Sequence, residues 1–430
     1  IRSSLKCSFS ENEAMKGKRP EIIIVGGGFG GLNTALNLSK KSWKKSTKPH
    51  VTIVDKKDKF VFLPLLYDLA ADSISFKGVA PTYKSLLEDT EISFIQGLVS
   101  DVDFESNEIT VIGSKSSGFN NLVLADDSQA SRNFKYDEII LAPGAESVPS
   151  TVPGAVEYSW PFYTIEDTYK LQTRLRYLKQ SGKDRVKCVV VGGSLCGVEI
   201  ACTISNYFDW CDVTIITRGN EMLAGADQDN RNAALEKLGR LNIKFLTATS
   251  VKNVMPEMVT VETLDATELN FDSDLTVWTA GSKPNSLLSS LDLQLSSYGK
   301  VKVNETLKIE GKPNAYCIGD CACIEGANLP SNAQVAMQQS DYLAHNIWAK
   351  YESKKPLNFK YSQLGEFIRI GSFDTTASLF SGSIKLRGVP GWITRRATYA
   401  IRSPSYYTKN EGLNLIYDAF KVSSNIFEKT

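Results

Sequence analysis

The chain has 430 residues, of which 42% are hydrophobic and 23% charged, with a formal net charge of +1. This composition is ordinary for a folded globular protein and excludes disordered and fibrous classes. The length allows two or three domains with separate cores, and the near-neutral charge gives no reason to expect nucleic acid as a partner.

Residues 1–19 are predicted to form a tail outside the fold. They are rich in Ser and Lys and show no regular apolar period, which is typical of an organellar transit peptide or of the remnant left after its cleavage. A disordered tail without a targeting role is the alternative. No later stretch reaches the roughly 18 apolar residues that a membrane-spanning helix needs, so the sequence predicts a protein that neither crosses a membrane nor pumps ions across one.

Residues Glu21–Lys40 predict a strand, a tight turn and a helix. An Ile- and Val-rich run leads into Gly26-x-Gly28-x-x-Gly31, and apolar residues then follow at helical spacing. Gly26 permits the turn, Gly28 lets a pyrophosphate approach the backbone, and Gly31 lets helix and strand pack closely. Asp55 ends the next strand, where a carboxylate can bond a ribose hydroxyl. Together these features predict a dinucleotide-binding unit.

The same pattern returns at Lys187–Ile204 and continues in the strand Asp212–Gly219. Its loop reads Gly192-x-Ser194-x-x-Gly197, with Ser in place of the middle Gly. A serine is small enough for a phosphate to approach, so we expect nucleotide binding that is weakened but retained. A degenerate fold kept as a scaffold is the alternative.

The end of the second strand differs between the two copies. Thr217 and Arg218 stand where the first copy has Asp55. Without a carboxylate to repel a 2′-phosphate, and with a guanidinium placed to bind one, the second copy is predicted to prefer NADPH over NADH. Arg218 as a plain surface charge is the competing interpretation.

Each copy also has a later strand that ends in a glycine turn, at Gly144 and at Gly281. This internal repeat predicts an α/β fold with two Rossmann-like dinucleotide-binding domains, the second inserted in the first. The change in composition near the end of the chain adds a C-terminal membrane-associating region to this prediction. The expected boundaries are 20–165 and 311–356 for the first domain, 166–310 for the second, and 357–430 for C-terminal strands and an amphipathic membrane-associating or dimerisation region.

Gly319 and Asp320 follow a late apolar run. With the paired glycine units and the two glycine turns, they resemble the two-dinucleotide-binding-domain flavoprotein family. The resemblance implies that the first domain holds FAD, that Asp320 bonds its ribityl chain, and that the second domain holds the nicotinamide nucleotide. NADPH is the predicted electron donor, and NADH is also possible.

Two further stretches are similar to the type II NAD(P)H:quinone oxidoreductases within that family. Lys59–Ala70 resembles a Phe-x-Phe-x-Pro-x-Leu segment beside the isoalloxazine, which implies a flavin contact for Pro64. Ala333–Gln339 resembles the Ala-Gln-x-Ala-x-Gln motif that lines the quinone tunnel. That likeness implies quinone contacts for Gln334 and Gln338 and an FAD contact for Ala336.

Glu199, in the sequence Gly-Val-Glu after the second glycine loop, matches a family residue near the junction of nicotinamide and quinone. The resemblance therefore implies a catalytic role for Glu199, for which we predict proton delivery to the quinone. Amide side chains such as those of the two glutamines can bond a quinone carbonyl without placing a charge in an apolar tunnel.

Within this family, Val152–Leu171 and the lysine-rich insert after the first helix look most like the plant plastid C-type branch, which reduces demethylphylloquinone and plastoquinone. That implies a chloroplast location, peripheral on the stromal side of the thylakoid or on plastoglobules, with the mitochondrial inner membrane as the alternative. A homodimer is compatible with the sequence.

Other acceptors remain open at this point. A disulfide reductase on this fold needs a cysteine pair against the flavin, but no cysteine lies between Cys7 and Cys188. The alternatives are a same-fold flavin reductase with a ferredoxin-like or disulfide acceptor, and a non-catalytic flavin-bound scaffold subunit. The cysteine spacings match no metal-ligand set, so no metal site is predicted.

The C-terminal stretch from Gly388 combines aromatic and basic side chains. Such a segment suits a surface helix at lipid headgroups, near a lipid-soluble quinone. The alternative is a helical hairpin that forms a dimer interface or covers the sheet. The side chains expected at the membrane surface are Trp392, Tyr399, Tyr406, Tyr407, Phe420, Arg395, Arg396 and Arg402.

Overall fold

The computed structural model describes residues 19–117, 131–147, 151–405, 409–410 and 413–414. The expectations for the N-terminal tail before Arg19 and for Tyr406, Tyr407 and Phe420 lie outside these residues. The strands, in chain order, are β1 (Glu21–Val25), β2 (His50–Asp55), β3 (Ser93–Asp103), β4 (Glu108–Ser117), β5 (Ser131–Lys135), β6 (Glu138–Leu141), β7 (Ala145–Ser147), β8 (Ser159–Pro161), β9 (Val186–Val191), β10 (Cys211–Ile216), β11 (Lys244–Leu246), β12 (Ser250–Met255), β13 (Met258–Glu262), β14 (Glu268–Asp272), β15 (Leu275–Trp278), β16 (Ser282–Pro284), β17 (Val301–Val303), β18 (Ala315–Cys317), β19 (Ala322–Ile324), β20 (Gly365–Arg369), β21 (Thr375–Leu379) and β22 (Ile384–Leu386).

The α-helices, in chain order, are α1 (Phe29–Ser39), α2 (Leu66–Ala70), α3 (Phe76–Val79), α4 (Tyr83–Leu87), α5 (Ala155–Tyr158), α6 (Ile165–Gln180), α7 (Leu195–Tyr207), α8 (Gln228–Arg240), α9 (Leu287–Ser290), α10 (Ala333–Tyr351) and α11 (Gly388–Arg402). Short 3₁₀ turns lie at Leu63–Leu65 and Gly319–Cys321. Among the described residues, no helix is long and apolar enough to span a membrane.

The described residues form two compact units. The first lies within 1–60, 82–146 and 283–361, and the second lies within 61–81, 147–282 and 362–430.

The first unit is built on a seven-stranded sheet in the order β18-β6-β1-β2-β3-β4-β5. At its centre β1 pairs in parallel with β2 and β6, which aligns Ile24 with Ile53 and Ile140. All three side chains are fully buried, as expected for parallel strands that are covered on both faces. Helix α10 packs against α1, where Asn37 donates a hydrogen bond of 2.7 Å to Asp341.

The second unit repeats this arrangement on a five-stranded sheet in the order β11-β10-β9-β15-β8. Its central strand β9 pairs in parallel with β10 and β15, which aligns Val190 with Ile215 and Val277, again fully buried. Helix α6 begins with a reciprocal capping box between Thr164 and Asp167. Such a cap satisfies two backbone donors at the helix start.

The compact units change over at 60/61, 81/82, 146/147, 282/283 and 361/362, whereas the sequence predicts changes at 165/166, 310/311 and 356/357. The β8 strand pairs with β15, so this stretch joins the second sheet. The β17 strand pairs with β19, so residues before 311 join the first unit. Short strands of this kind carry little periodicity, and only their pairing assigns them.

The C-terminal part of the second unit is a three-stranded sheet, β20-β21-β22, covered by α11. A Cβ at Gly391 would lie 2.1 Å from the Thr375 carbonyl oxygen, so the helix approaches the strand closely. Trp392, Arg395 and Arg396 are buried, and the expectation that these three side chains face lipid headgroups is wrong. This stretch of helix instead matches the alternative of an element that covers the sheet.

Candidate functional site

The first glycine loop has a backbone that only glycine permits at two positions. Gly26 has a φ of +96°, and a Cβ there would lie 2.3 Å from the Ala142 carbonyl oxygen. Its N–H donates to the Val54 carbonyl at 2.8 Å. A Cβ at Gly31 would lie 1.8 Å from the Gly26 carbonyl oxygen, so α1 can start directly against β1.

Gly28 is the N-cap of α1 and is exposed, with no atom within 4 Å of an added Cβ. The space over the helix start is therefore open to a ligand. The N–H groups at a helix start and the helix dipole favour an anion at such a position.

Asp55 lies beside the same loop. Its Oδ2 accepts the Gly27 N–H at 2.7 Å and its Oδ1 accepts the Lys57 N–H at 2.8 Å. Burial raises the pKa of Asp55, while these N–H groups act against that shift. A cavity of about 320 Å³ opens here, with Gly26, Asp55 and Ser286 in its wall. This volume is at the low end of small-molecule pockets, and the cavity lies outside the carboxyl ends of β1 and β2, where α/β sheets bind ligands.

Tyr83 is a residue of this loop region that the sequence analysis missed. Its hydroxyl lies 2.2 Å from where a Cβ at Gly27 would be, and its ring stacks on Phe94 at a centroid distance of 4.4 Å. Burial and the negative charges of Asp55 and Asp58 raise its pKa well above the ordinary value. No motif marks Tyr83, because the contact joins segments that are distant in sequence.

A second part of the first unit is the turn at Gly319, whose φ is +81°. The Gly319 N–H donates to Oε1 of Gln339 at 2.6 Å. The Cβ of Ala336 lies 3.6 Å from an added Cβ at Gly319 and 3.8 Å from one at Gly30. A small residue at position 336 therefore lets α10 sit against both the turn and α1. Asp320 follows directly, and burial raises its pKa.

The two other glutamines of α10 are half-buried in the same unit. Oε1 of Gln334 accepts from the Tyr361 hydroxyl at 3.2 Å. Gly144 also lies in this unit with a φ of +71°, and its carbonyl accepts the Asn285 N–H at 3.0 Å.

The glycine loop of the second unit reproduces the first in its contacts. Gly192 has a φ of +126°, and its N–H donates to the Ile216 carbonyl oxygen at 2.8 Å. A Cβ at Gly197 would lie 1.8 Å from the Gly192 carbonyl oxygen. Ser194 is the exposed N-cap of α7, and its side chain makes no capping hydrogen bond.

Thr217 occupies the place that Asp55 has in the first unit. A Cβ at Gly193 would lie 2.8 Å from the Thr217 side chain, just as Asp55 lies against Gly27. Arg218 follows and is exposed, as is Gly281, whose φ is +84°.

Glu199 is buried on α7, one turn after this loop. Its Oε1 accepts the backbone N–H of Arg369 at 2.8 Å. Burial raises the pKa of Glu199, and the positive charges of Arg395 and Arg369 act against that shift. A carboxyl in this setting can hold a proton at higher pH than an exposed one.

Asp68 forms a buried charge cluster that the sequence analysis did not find. Its carboxylate contacts three buried guanidinium groups, those of Arg369 at 3.3 Å, Arg395 at 3.1 Å and Arg396 at 2.5 Å. Although burial opposes ionisation, these arginines hold the pKa of Asp68 far below its ordinary range. The only sequence feature that could have indicated this cluster is Asp68 itself, a single acidic residue inside the apolar run Leu65–Ala70.

The cysteine nearest to the second loop is Cys196, in the first turn of α7. Burial raises its pKa to about 11. Burial also raises the pKa of Cys317 well above the ordinary value, and its Sγ lies 3.6 Å from that of Cys321. Since the thiolate is the reactive form, neither Cys196 nor Cys317 is suited to attack a disulfide.

The comparisons with known proteins agree with this geometry. The sequence pattern of the pyridine nucleotide-disulphide oxidoreductase family matches residues 20–340. The chain is 33% identical to demethylphylloquinone reductase of Synechocystis over 93% of this chain and 96% of the relative. It is 34% identical to the alternative NAD(P)H-ubiquinone oxidoreductase C1, chloroplastic/mitochondrial, of Arabidopsis thaliana, over 90% of this chain and 78% of the relative.

The fold is similar to that of NDH2 from Plasmodium falciparum in complex with NADH. The TM-score is 0.79 at 20% identity, over 93% of this chain and 98% of the other. The chain therefore belongs to the pyridine nucleotide-disulphide oxidoreductase family and, within it, to the type II NAD(P)H:quinone oxidoreductases.

Proposed function

We propose that the protein is an FAD-dependent, non-proton-pumping NAD(P)H:quinone oxidoreductase that reduces a membrane quinone of the plastoquinone or phylloquinone type. The observation that carries the proposal is the pair of glycine loops with the same backbone geometry, Gly26–Gly31 and Gly192–Gly197, in a chain whose relatives reduce quinones. Two such loops provide for two dinucleotides.

The first loop is the one we assign to FAD. The open space at Gly28, the carboxylate of Asp55 and the adjoining cavity fit the pyrophosphate and ribose of a dinucleotide. When bound, FAD would supply the two-electron redox chemistry that links a nicotinamide donor to an acceptor. The residues proposed to hold it are Gly26, Gly28, Gly31, Asp55, Pro64, Gly144, Gly319, Asp320 and Ala336.

The second loop is the one we assign to the nicotinamide nucleotide, with NADPH preferred over NADH. Ser194 stands where the first loop has Gly28, a position with room for a Cβ. The Ser194 side chain is exposed and makes no capping hydrogen bond, so it is compatible with a nucleotide at this helix start. Thr217 removes the carboxylate that would repel a 2′-phosphate. The residues proposed to bind NADPH are Gly192, Ser194, Gly197, Arg218 and Gly281.

The quinone step is assigned to three side chains. Gln334 and Gln338 are proposed to bond the quinone carbonyls, and Glu199 to deliver a proton. The raised pKa of Glu199 suits a donor, because the protonated form then persists to higher pH. Its bond from the Arg369 N–H orients the carboxyl group.

The location we propose is the chloroplast, on the stromal side of the thylakoid or on plastoglobules. The demethylphylloquinone reductase of Synechocystis supports a phylloquinone-type substrate, and the chloroplastic/mitochondrial enzyme of Arabidopsis thaliana supports a chloroplastic or mitochondrial site. At the end of α11, Ile401 and Arg402 are exposed, Ile401 at 78%, and this pair supports contact with a membrane surface. A homodimer is compatible with the same proposal.

Anaerobic stopped-flow on the purified protein tests this function. We expect NADPH to bleach the flavin band faster than NADH, and a short-chain plastoquinone analogue to restore it. Chromatography of the released cofactor should give FAD. Bleaching without reoxidation by any quinone would reject the quinone step and leave a flavoprotein with another acceptor.

The variant Glu199→Gln separates the two half-reactions. Its amide oxygen can still accept the Arg369 N–H, so the local fold is kept. We expect an unchanged rate of flavin reduction by NADPH but slower reoxidation by the quinone. In the parent, reoxidation should slow as pH rises through the pKa of Glu199, and the variant should lose this dependence. An unchanged quinone rate in the variant would remove Glu199 from the mechanism.

A further inference from the structure

Helix α10 carries three glutamines, and the third has no role in the function proposed above. Gln339 is only 1% exposed, and its Oε1 accepts the Gly319 N–H at 2.6 Å. A backbone N–H can only donate, so this bond fixes the orientation of the Gln339 amide with its oxygen toward the turn. Loss of this acceptor would be unfavourable, because the Gly319 N–H is half-buried and water reaches it only in part.

The turn that receives this bond needs external support. Gly319 adopts the left-handed region at a φ of +81°, and the 3₁₀ turn that follows spans only Gly319–Cys321. An added Cβ at Gly319 would meet only the methyl group of Ala336, at 3.6 Å. Among the described residues, the Gln339 oxygen is the acceptor that holds the Gly319 N–H in place.

The position of Asp320 depends on this turn, since one peptide bond separates it from Gly319. A carboxylate that bonds ligand hydroxyl groups must be held within about 0.5 Å of its productive position. A shift in the turn would therefore move the Asp320 carboxylate away from a bound cofactor without unfolding the unit.

We propose that Gln339 is a positioning residue for the flavin, because its amide oxygen holds the Gly319–Asp320 turn in the conformation that binds FAD. The inference rests on the proposed assignment of FAD to the first unit. It adds a residue on the same helix as Gln334 and Gln338, so that α10 supports both the proposed quinone contacts and the turn proposed to bind the cofactor.

The test is the dissociation constant of FAD from the full-length protein, measured by flavin fluorescence on re-adding FAD to the apoprotein. Gln339→Met keeps the side-chain volume and removes the acceptor, and we expect it to raise the FAD Kd about tenfold or more. Gln339→Glu keeps an oxygen for the Gly319 N–H, and we expect a Kd much nearer to that of the parent.

Asn346→Leu is the matched control. Asn346 is another buried amide on α10, but its bonds are to Thr306 and Leu357, at 3.2 and 2.9 Å, rather than to the turn. We expect this variant to lower the melting temperature and leave the FAD Kd within about twofold of the parent.

Three results would overturn the proposal: a parent-like Kd for Gln339→Met, a Kd for Gln339→Glu as poor as that of Gln339→Met, or an equal rise in Asn346→Leu. Failure of the parent protein to bind FAD at all would instead reject the proposed function, before any variant is compared.

Discussion

The buried carboxylate of Asp68 offers a sharp test of how the second unit is held together. Replacing it by Asn, a residue of the same shape, leaves Arg369, Arg395 and Arg396 without their shared counter-ion. Three buried guanidinium groups then lose the carboxylate that pairs with each of them, which is far more costly than losing an exposed pair. We therefore expect Asp68→Asn to loosen the contact between α2, α11 and β20.

The expected magnitude follows from the burial of the partners, all of which are at most 3% exposed in their side chains. Removing one partner of a buried ion pair costs about 3–5 kcal/mol. For a unit of this size each kcal/mol lowers the melting temperature by about 2–4 °C. The thermal midpoint of the second unit should therefore fall by about 6–20 °C.

Thermal unfolding followed by circular dichroism measures this change, with Asp72→Asn as the control. Asp72 is paired with Arg176 at 3.3 Å, but both side chains are more than half exposed, and such pairs contribute below about 1 kcal/mol. The double variant Asp68→Asn/Arg396→Gln removes one charge of each sign and should recover part of the loss. A fall in Asp68→Asn no larger than that of Asp72→Asn would refute the reasoning.

The same cluster predicts the direction of a pH effect. The folded-state pKa of Asp68 is depressed, so its stabilising contribution is present above the unfolded pKa of about 3.9 and is lost as pH falls through the folded value. In urea titrations between pH 7 and pH 3, Asp68→Asn should flatten part of the acid-induced loss of stability.

Three further predictions concern the cofactor loops. Gly26→Ala should lower the free energy of unfolding by more than about 3 kcal/mol, because a Cβ overlaps the Ala142 carbonyl at a positive φ. Gly28→Ala should have the melting temperature of the parent apoprotein and bind FAD more weakly. Equal melting temperatures for the two variants would contradict the geometry. Arg218→Ala should reduce kcat/KM for NADPH about tenfold and leave NADH unchanged, and equal losses would count against a 2′-phosphate contact. Tyr83→Phe should keep its melting temperature and raise the FAD Kd about fivefold, and an unchanged Kd would leave Tyr83 as a packing residue.

The glycine loops show how much of the fold and site can be predicted from the amino-acid sequence. The N–H bonds of Gly26 to Val54 and of Gly192 to Ile216 lie within one β-α-β unit of regular spacing. The contacts that exclude a side chain at these two glycines come instead from Ala142 and Thr279, outside those units. The α/β class can also be predicted from the sequence, since continuous apolar runs between helical patterns indicate parallel strands. The type II quinone reductase family was predicted from the resemblance of Lys59–Ala70 and Ala333–Gln339 to family motifs, and the relatives confirmed it.

Domain edges and the C-terminal helix could not be predicted in this way. The β8 strand has three residues, and only its pairing with β15 assigns it to the second sheet. Trp392 and the two arginines beside it have the composition of a membrane-surface helix, yet they are buried. Composition records which side chains a helix carries, whereas burial depends on the partner that each face meets.

The sequence by itself determined the repeated dinucleotide fold and the residues of both glycine loops, because the glycine spacing within each β-α-β unit is regular. It also determined the family, through the resemblance of short motifs to those of known relatives. Only the tertiary structure decided that Asp68 meets Arg395, 327 positions away, and that Gln339 holds Gly319. Buried charges and amides are stable only when a partner neutralises or bonds them, and which distant residue supplies that partner is settled when the units fold.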